Sequence, residues 1–308
     1  MKKTRLLPDL LFLCLIGILC GCSSGAKKTE VTEGEPHDST PVVLVPTADG
    51  QDTIEEDGVI LDISNKEKGY LMAMYQGDAE KINIQITGPN EVTYLYFLQE
   101  KNQYIAMPLS AGDGVYEVGV YEHIEDDMYS SVLEEEMEVK LENEFLPFLY
   151  ANQFVNFDEN TKAVSLAKEL TQGCETTMDA LSAIYNYVVD NLSYDYEKAE
   201  TVQAMYLPDV DETLETKKGI CFDYAALMCT MLRTQQIPTK LEIGYTGGVY
   251  HAWISTHIKG YGWVDGIIQF DGKSWKLMDP TFASAEDRSK DIMEHINNEE
   301  NYEIMYER

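Results

Sequence analysis

The stretch "KKGICFDYAALM", residues 217–228, places a cysteine directly after a glycine and at the start of a nearly continuous apolar run. The run continues to Leu232, and because apolar residues occupy almost every side it predicts a buried helix. Cys221 would lie in its first turn, where unpaired backbone N–H groups and the helix dipole favour a thiolate. Gly219 would supply the turn before the helix, and the charge of Asp223 would oppose the thiolate unless it points away. The stretch therefore predicts a nucleophilic cysteine at the start of a central helix.

The other cysteines limit the disulfides that the chain can form. Beyond the N-terminal segment the cysteines are Cys174, Cys221 and Cys229. In one helix, Cys221 and Cys229 would be about 12 Å apart, which exceeds the ~7 Å Cα limit for a disulfide. A Cys174–Cys229 disulfide stays open, so at least one thiol has no intramolecular partner.

Two further segments supply the groups that a cysteine nucleophile needs. His251 lies in "VYHAWIST" (249–256), a predicted strand, and Asp279 ends the apolar strand of "SWKLMDPT" (274–281). If these strands pair antiparallel, the Asp279 carboxylate can orient the His251 imidazole. Cys221, His251 and Asp279 would then act as nucleophile, general base and orienting group.

The segments "GICFDYAALMCTMLRTQQIPTKLEIGY", "HAW" and "WKLMDPT" resemble, in content and order, the transglutaminase-like superfamily. The resemblance covers about residues 175–283. It implies a papain-like α+β fold, with Cys221, His251 and Asp279 as the catalytic triad.

The sequence departs from the family pattern at two points. Gln236 stands where the family often has a glycine, before the Ile-Pro pair that follows the catalytic helix. The segment "GYGWVD" (260–265) makes Asp265 a rival of Asp279 for the third position of the triad. Asp279 is preferred because the following Pro280 and Thr281 match the family as well.

Acyl transfer also needs hydrogen-bond donors for a negatively charged oxygen. The backbone N–H of Cys221 is the first candidate, because a helix start presents it without an intrahelical acceptor. Tyr194, in "NLSYDYE" (191–197), is a candidate for the second donor, although a tyrosine in a strand more often serves packing. The histidines are scattered and there is neither a CxxC pair nor a nucleotide-binding loop, so no metal and no cofactor is expected.

Hydrophobic periodicity divides the chain into two folded regions. Residues 57–143 alternate apolar and polar positions, as in "KINIQITGP", and predict a small all-β sandwich domain of about seven or eight strands. Residues 144–308 contain helical spacings followed by strands, which is typical of an α+β domain. The charged segment at the end of the sequence reads as one amphipathic helix.

The N-terminal segment predicts export and a lipid anchor. Residues 1–21 combine basic residues with a short apolar stretch, as in a signal peptide. The ending Leu19-Cys20-Gly21-Cys22 resembles the lipobox of bacterial lipoproteins, which implies an acylated Cys22 and a location in the cell envelope, on the extracytoplasmic side. Residues 22–56 are polar and proline-containing and predict a flexible stalk.

Charge and motifs together define two hypotheses for function. The chain has 54 Asp and Glu against 23 Lys and Arg, a net charge of −31, which disfavours nucleic acid as a partner. The first hypothesis is a membrane-tethered cysteine acyl-transfer enzyme, transglutaminase-like or a peptidase or amidase, that acts on protein or peptide carboxamides outside the membrane. The triad is compatible with hydrolysis and with amine transfer. The alternative is a non-catalytic surface binding or assembly module on the same scaffold, and the sequence leaves the oligomeric state open.

Overall fold

The computed structural model describes residues 37–98, 100–126, 128–246, 248–265, 268–270, 275–277 and 302–308. All of them belong to one compact unit of the chain. The predicted signal peptide (1–21), the predicted anchor Cys22 and the predicted triad residue Asp279 lie outside the described residues.

The alternating segments form eight antiparallel strands in two sheets. Their order is β1-β2-β3-β6 in one sheet and β5-β4-β7-β8 in the other. The strands are β1 (Thr53–Glu56), β2 (Val59–Asp62), β3 (Tyr70–Tyr75), β4 (Ile82–Thr87), β5 (Thr93–Leu98), β6 (Ile105–Pro108), β7 (Gly114–Glu125) and β8 (Met128–Val139). Strand β5 is therefore an edge strand of its sheet.

The two sheets share one hydrophobic core. Ile82, Ile84 and Ile86 are buried while the residues between them are partly exposed, as a period of two requires. They pack in one cluster with Leu61 and Leu71 of the opposite sheet. This arrangement confirms the predicted β-sandwich.

The predicted stalk differs from the structure over residues 37–56. Val42 donates its backbone N–H to the carbonyl of Thr234 at 2.9 Å, and Leu44 forms a parallel bridge with Tyr150. Strand β1 then pairs with β2. The polar composition suggested a flexible chain, but backbone hydrogen bonds to distant segments hold this stretch against the folded part.

In the described part of the second region there are five α-helices and two short parallel strands that precede its main sheet. The helices are α1 (Lys162–Thr171), α2 (Thr177–Asn191), α3 (Tyr196–Thr201), α4 (Val210–Thr216) and α5 (Cys221–Thr234). Strand β9 (Ser193–Tyr194) pairs with β10 (Lys218–Gly219) in parallel. Among the described residues, no helix is long and apolar enough to cross a membrane.

The helices are followed by an antiparallel sheet with strand order β13-β12-β11-β16. A separate hairpin pairs β14 with β15. The strands are β11 (Thr239–Thr246), β12 (Val249–Ile258), β13 (Gly262–Asp265), β14 (Ile268–Phe270), β15 (Trp275–Leu277) and β16 (Tyr302–Glu307). Helices followed by an antiparallel sheet confirm the predicted α+β class.

Helix α5 is the centre of this second region. Every residue from Asp223 to Thr234 is buried. The helix contacts α1, α2 and α4 on the helical side and both β11 and β12 on the sheet side. The helix is enclosed on both sides, as its nearly continuous apolar sequence predicts.

The end of the described chain corrects one prediction. Residues 302–307 form strand β16 beside β11, not an amphipathic helix. A Cβ at Gly244 would lie 1.9 Å from the carbonyl oxygen of Glu303, so only glycine lets β16 approach β11 here. Charge alone does not distinguish an exposed helix from an edge strand, and the pairing with β11 decides the conformation.

Candidate active site

Cys221 is the first residue of α5, as predicted. The preceding Ile220 is extended, with φ −93° and ψ 175°, and its carbonyl accepts the first helical hydrogen bond, from Tyr224, at 3.1 Å. The thiol is free and half-buried. The cysteine therefore stands where the N–H groups of a helix start are available to an anion.

The chain enters α5 through the short parallel ladder of β9 and β10. Tyr194 lies opposite Gly219, and the N–H of Asp195 donates to the Gly219 carbonyl at 2.9 Å. The left-handed backbone conformation belongs to Lys217, with φ 54°, and not to Gly219. A Cβ at Gly219 would lie 2.6 Å from the Cβ of Asp223. The glycine is thus needed for close packing against α5, which corrects the predicted turn.

Asp223 is fully buried, and its charge is balanced by partners. Its carboxylate accepts the Ile220 N–H at 2.8 Å and forms an ion pair with the Lys198 ammonium at 2.8 Å. The Tyr206 hydroxyl also donates to it, and burial together with this bond raises the pKa of Tyr206. This network stabilises the first turn of α5 and offsets the charge that would otherwise oppose a Cys221 thiolate.

His251 lies on β12, which packs against α5. It is buried, with 6% of its surface exposed, and pairs in register with Gly244 of β11. Its ring stacks on Trp253 with 6.0 Å between centroids. His251 and Cys221 both line a single cavity of about 510 Å³. The structure therefore brings these two predicted site residues together.

The other described histidines lie elsewhere. His257, also on β12, packs against Phe145 at 4.2 Å between ring centroids, and burial lowers its pKa. His123 donates its Nε2–H to the carbonyl of Asp126 on an exposed hairpin, and His37 contacts Gln235. Among the described histidines, His251 alone lines the cavity of Cys221.

Tyr194 lines the same cavity. Burial, with a smaller contribution from Cys221, raises the pKa of its hydroxyl to about 12. The hydroxyl therefore stays protonated at neutral pH and can donate a hydrogen bond. The ladder of β9 and β10 positions it beside the start of α5, where the sequence predicted a second hydrogen-bond donor.

The third triad position is constrained by strand register. Asp265 ends β13, opposite Ser255 of β12. Ser255 is four residues from His251 on β12. The Asp265 backbone therefore lies about 13 Å from His251 along the sheet. Asp279 follows β15, which in the described part of the chain pairs with β14 and not, as predicted, with β12. Asp279 itself lies outside the described residues.

The remaining two cysteines provide an internal contrast. Cys174 and Cys229 are both free, so the disulfide that the sequence left open does not form. Burial in mid-helix raises the pKa of Cys229 to about 12, and burial also raises the pKa of Cys174. Both thiols are therefore less acidic than an ordinary cysteine.

One wall of the cavity comes from segments that sequence reasoning did not connect with Cys221. It contains Leu95 and Phe97 of edge strand β5, Phe154 from the segment between β8 and α1, and Tyr306 and Arg308 at the end of the described chain. The contributing segments are far apart in the sequence, and no motif marks them. The sandwich therefore lines part of the cavity that contains Cys221.

A helix-start cysteine and a strand histidine thus line one cleft of the α+β region. Residues 164–265 match the family model of the Transglutaminase-like superfamily and form a transglutaminase-like domain. Members of this superfamily are generally cysteine enzymes. The match ends at Asp265, before Asp279.

Individual proteins similar to this chain come from distant organisms. YebA of Bacillus subtilis (strain 168) is 25% identical over 154 residues, 43% of this chain and 21% of YebA. MJ1282 of Methanocaldococcus jannaschii is 25% identical over 239 residues, 71% of this chain and 67% of that protein. The crystal structure of the periplasmic domain of TgpA from Pseudomonas aeruginosa is 17% identical with a TM-score of 0.35, covering 77% of this chain and 76% of that one. The chain thus spans only about a fifth of the length of YebA.

Proposed function

We propose that this protein is a cysteine acyl-transfer enzyme that attacks carboxamide or peptide carbonyls through Cys221. One observation carries the proposal: Cys221 at the start of α5 and His251 on β12 line the same cavity. The cavity is large enough for part of a peptide and is lined mainly by apolar and aromatic side chains.

In the proposed reaction, the Cys221 proton passes to His251 and the sulfur forms a bond to the carbonyl carbon. The resulting oxyanion accepts hydrogen bonds from the Cys221 backbone N–H and the Tyr194 hydroxyl. The C–N bond then breaks, and the leaving ammonia or amine takes the proton from His251. Water or a second amine attacks the thioester, loses its proton through His251, and releases the Cys221 thiol.

Asp279 is proposed as the group that orients His251. The register of β13 supports this choice, because it sets Asp265 about 13 Å away from His251 along the sheet. A carboxylate that accepts from one imidazole nitrogen leaves the other nitrogen free to take the thiol proton.

We further propose that the enzyme works at the cell envelope, on the extracytoplasmic side, and is held there by a lipid on Cys22. The lipobox-like ending of residues 1–21 supports this location. Its substrates would then be proteins or peptides outside the membrane.

The first test is the rate of thiol alkylation, read by peptide mass mapping between about pH 4 and 9 on protein without the anchor. Cys221 should react faster than the other two described thiols across this range, and His251→Ala should change its rate. Cys174 and Cys229 are internal controls and should react slowly. A Cys221 that reacts no faster than Cys229 would contradict the enzyme hypothesis and favour the binding-module alternative.

A second measurement distinguishes the two possible reactions of the thioester, transfer to an amine and hydrolysis. Glutamine-containing peptides are incubated with and without a fluorescent primary amine, and released ammonia, cleaved peptide and labelled peptide are each quantified. Labelled peptide indicates amine transfer, and cleavage or deamidation alone indicates hydrolysis. None of the three products, at any pH at which Cys221 alkylates, would contradict acyl transfer on these substrates.

A further inference from the structure

The cavity contains a buried cation, the guanidinium of Arg308. Only 3% of Arg308 is exposed. The guanidinium lies over the ring of Phe154, with 3.9 Å between its central carbon and the ring centroid, and 4.7 Å from the ring of Tyr96. The aromatic rings around it favour a cation but offer few acceptors for its N–H groups.

The position of Arg308 is held from two sides. Its backbone N–H and carbonyl each form a 2.9 Å hydrogen bond with Leu241 of β11. Its Nη2 donates to the carbonyl of Leu95 on edge strand β5 at 3.2 Å. The guanidinium therefore joins the sandwich to the transglutaminase-like domain and has little freedom to move.

Two of its three nitrogens have no acceptor. Nε and Nη1 of Arg308 are buried without a hydrogen-bond partner, and no carboxylate of the described residues forms an ion pair with it. Buried donors and buried cations without partners are unfavourable and rare. Within the described part of the chain these two donors are therefore left available to an acceptor from elsewhere.

Arg233 shows that the fold can satisfy a buried arginine completely. It is 1% exposed, and its three nitrogens donate to the carbonyls of Thr239, Tyr150 and Arg308 at 3.0, 2.8 and 2.7 Å. Arg233 does not line the cavity, whereas Arg308 does. The unsatisfied donors thus occur at the arginine that faces the site.

Arg308 is also close to the proposed nucleophile. The ring of Phe154, on which the guanidinium lies, stacks on Phe222 with 6.2 Å between centroids, and Phe222 follows Cys221 in α5. Burial raises the pKa of the Tyr250 hydroxyl, and among the smaller influences Arg308 lowers it and Cys221 raises it. The Tyr250 hydroxyl therefore interacts electrostatically with both Arg308 and Cys221, and all three residues line the same cavity.

We propose that Arg308 binds a carboxylate of the acyl substrate, so that the enzyme selects peptides with a negative charge near the carbonyl that Cys221 attacks. This inference rests on the proposed function. Guanidinium N–H groups match carboxylate oxygens in charge and in hydrogen-bond geometry. The aromatic wall keeps water from competing for the same donors. The chain as a whole carries a charge of −31, so the preference arises from this one site and not from the general field.

The test compares three capped glutamine peptides on the wild-type enzyme: one with a neighbouring glutamate side chain, one with a free α-carboxylate, and one with neither. The carboxylate peptides should have a kcat/KM about tenfold or more above the neutral peptide. The carboxylate peptide with the higher kcat/KM shows whether Arg308 recognises a glutamate side chain or an α-carboxylate. Equal kcat/KM for all three would overturn the inference while leaving the proposed function intact.

Variants then assign the preference to Arg308. In Arg308→Gln the ratio of carboxylate to neutral kcat/KM should fall to about one, and Arg308→Lys should keep part of it. Lys240→Gln is the control, because it removes a positive charge from β11 outside the cavity. If the ratio fell as much in Lys240→Gln as in Arg308→Gln, the assignment of carboxylate binding to Arg308 would be wrong. If Arg308→Gln does not fold, the inference is tested by the kcat/KM ratios of the wild type and of Arg308→Lys.

A binding measurement separates failure of this inference from failure of the proposed function. Calorimetric titration of Cys221→Ala with the same three peptides requires no turnover. Tighter binding of a carboxylate peptide that is lost in Cys221→Ala/Arg308→Gln and only weakened in Cys221→Ala/Arg308→Lys supports the site even if no peptide is turned over. Equal binding of all three peptides counts against it.

Discussion

The two walls of the cavity are built in different ways. The α5–β12 wall carries Cys221 and His251, which lie thirty residues apart on adjoining elements. The β5–β16 wall carries Leu95, Phe97, Phe154, Tyr306 and Arg308, from three distant parts of the chain. The first wall contains the groups proposed for bond breaking, and the second contains apolar area and one cation. Under the proposed function, chemistry and recognition would be separable, and variants of each wall should show different kinetic effects.

The largest effect is expected from the α5–β12 wall. Cys221→Ala removes the nucleophile and should lower kcat by about a thousandfold or more, because no other group can form the thioester. The unfolding temperature should stay nearly unchanged, since Cys221 is half-buried and makes no disulfide. The measurement is peptide turnover together with thermal unfolding.

Cys174→Ala is the matched control for this variant. It also removes a free, half-buried thiol, but from a site outside the cavity. If Cys174→Ala lost as much activity as Cys221→Ala, the division of the cavity into a chemical wall and a recognition wall would be wrong.

A smaller effect is expected from Tyr194→Phe. Loss of an oxyanion donor should lower kcat by about a hundredfold and leave KM nearly unchanged. Because burial raises the pKa of Tyr194 to about 12, its hydroxyl should act as a donor across neutral pH and stop only as the pH rises toward that value. The kcat profile of the wild type should therefore show no tyrosine ionisation near neutral pH.

Tyr196→Phe controls for the loss of a hydroxyl from the same segment. Tyr196 contacts the Tyr194 ring edge-on at 5.0 Å but is largely exposed and does not line the cavity. Its variant should retain wild-type kcat. A Tyr194→Phe enzyme with normal kcat would leave the Cys221 backbone N–H as the proposed donor and would assign Tyr194 to packing.

The smallest effect is expected from the β5–β16 wall. Phe97→Ala removes apolar area from the cavity and should raise KM several-fold with little change in kcat. The rate of Cys221 alkylation by a small reagent should be unaffected, because the chemical groups lie on the other wall. Steady-state kinetics on a soluble peptide test the first statement, and mass mapping tests the second.

Thr93→Ala, on the same edge strand, is the comparison for Phe97→Ala. Thr93 is exposed and lies outside the cavity, so its variant should keep the wild-type KM. A fall in kcat that exceeds the rise in KM in Phe97→Ala would show that the sandwich contributes to the chemistry itself, and the two walls would not be separable.

Much of the fold was predictable because its signals are local. The period of two in "KINIQITGP" predicts a half-buried strand, and the apolar run after Cys221 predicts the buried helix α5. The predictions for residues 37–56 and for residues 302–307 were wrong. In both segments, backbone hydrogen bonds to a distant partner decide the conformation, and composition does not reveal that partner.

The sequence by itself determined the elements that carry the proposed chemical groups, Cys221 and His251. A helix start, its cysteine and the histidine of the following strand are visible because each depends on neighbouring residues. The tertiary structure alone decided that β5 closes the cavity, that Asp265 lies opposite Ser255, and that Arg308 is buried with two nitrogens unsatisfied. These features depend on strand register and on contacts between residues as far apart as Leu95 and Arg308. Such contacts form only when the whole chain packs, so no local pattern of residues encodes them.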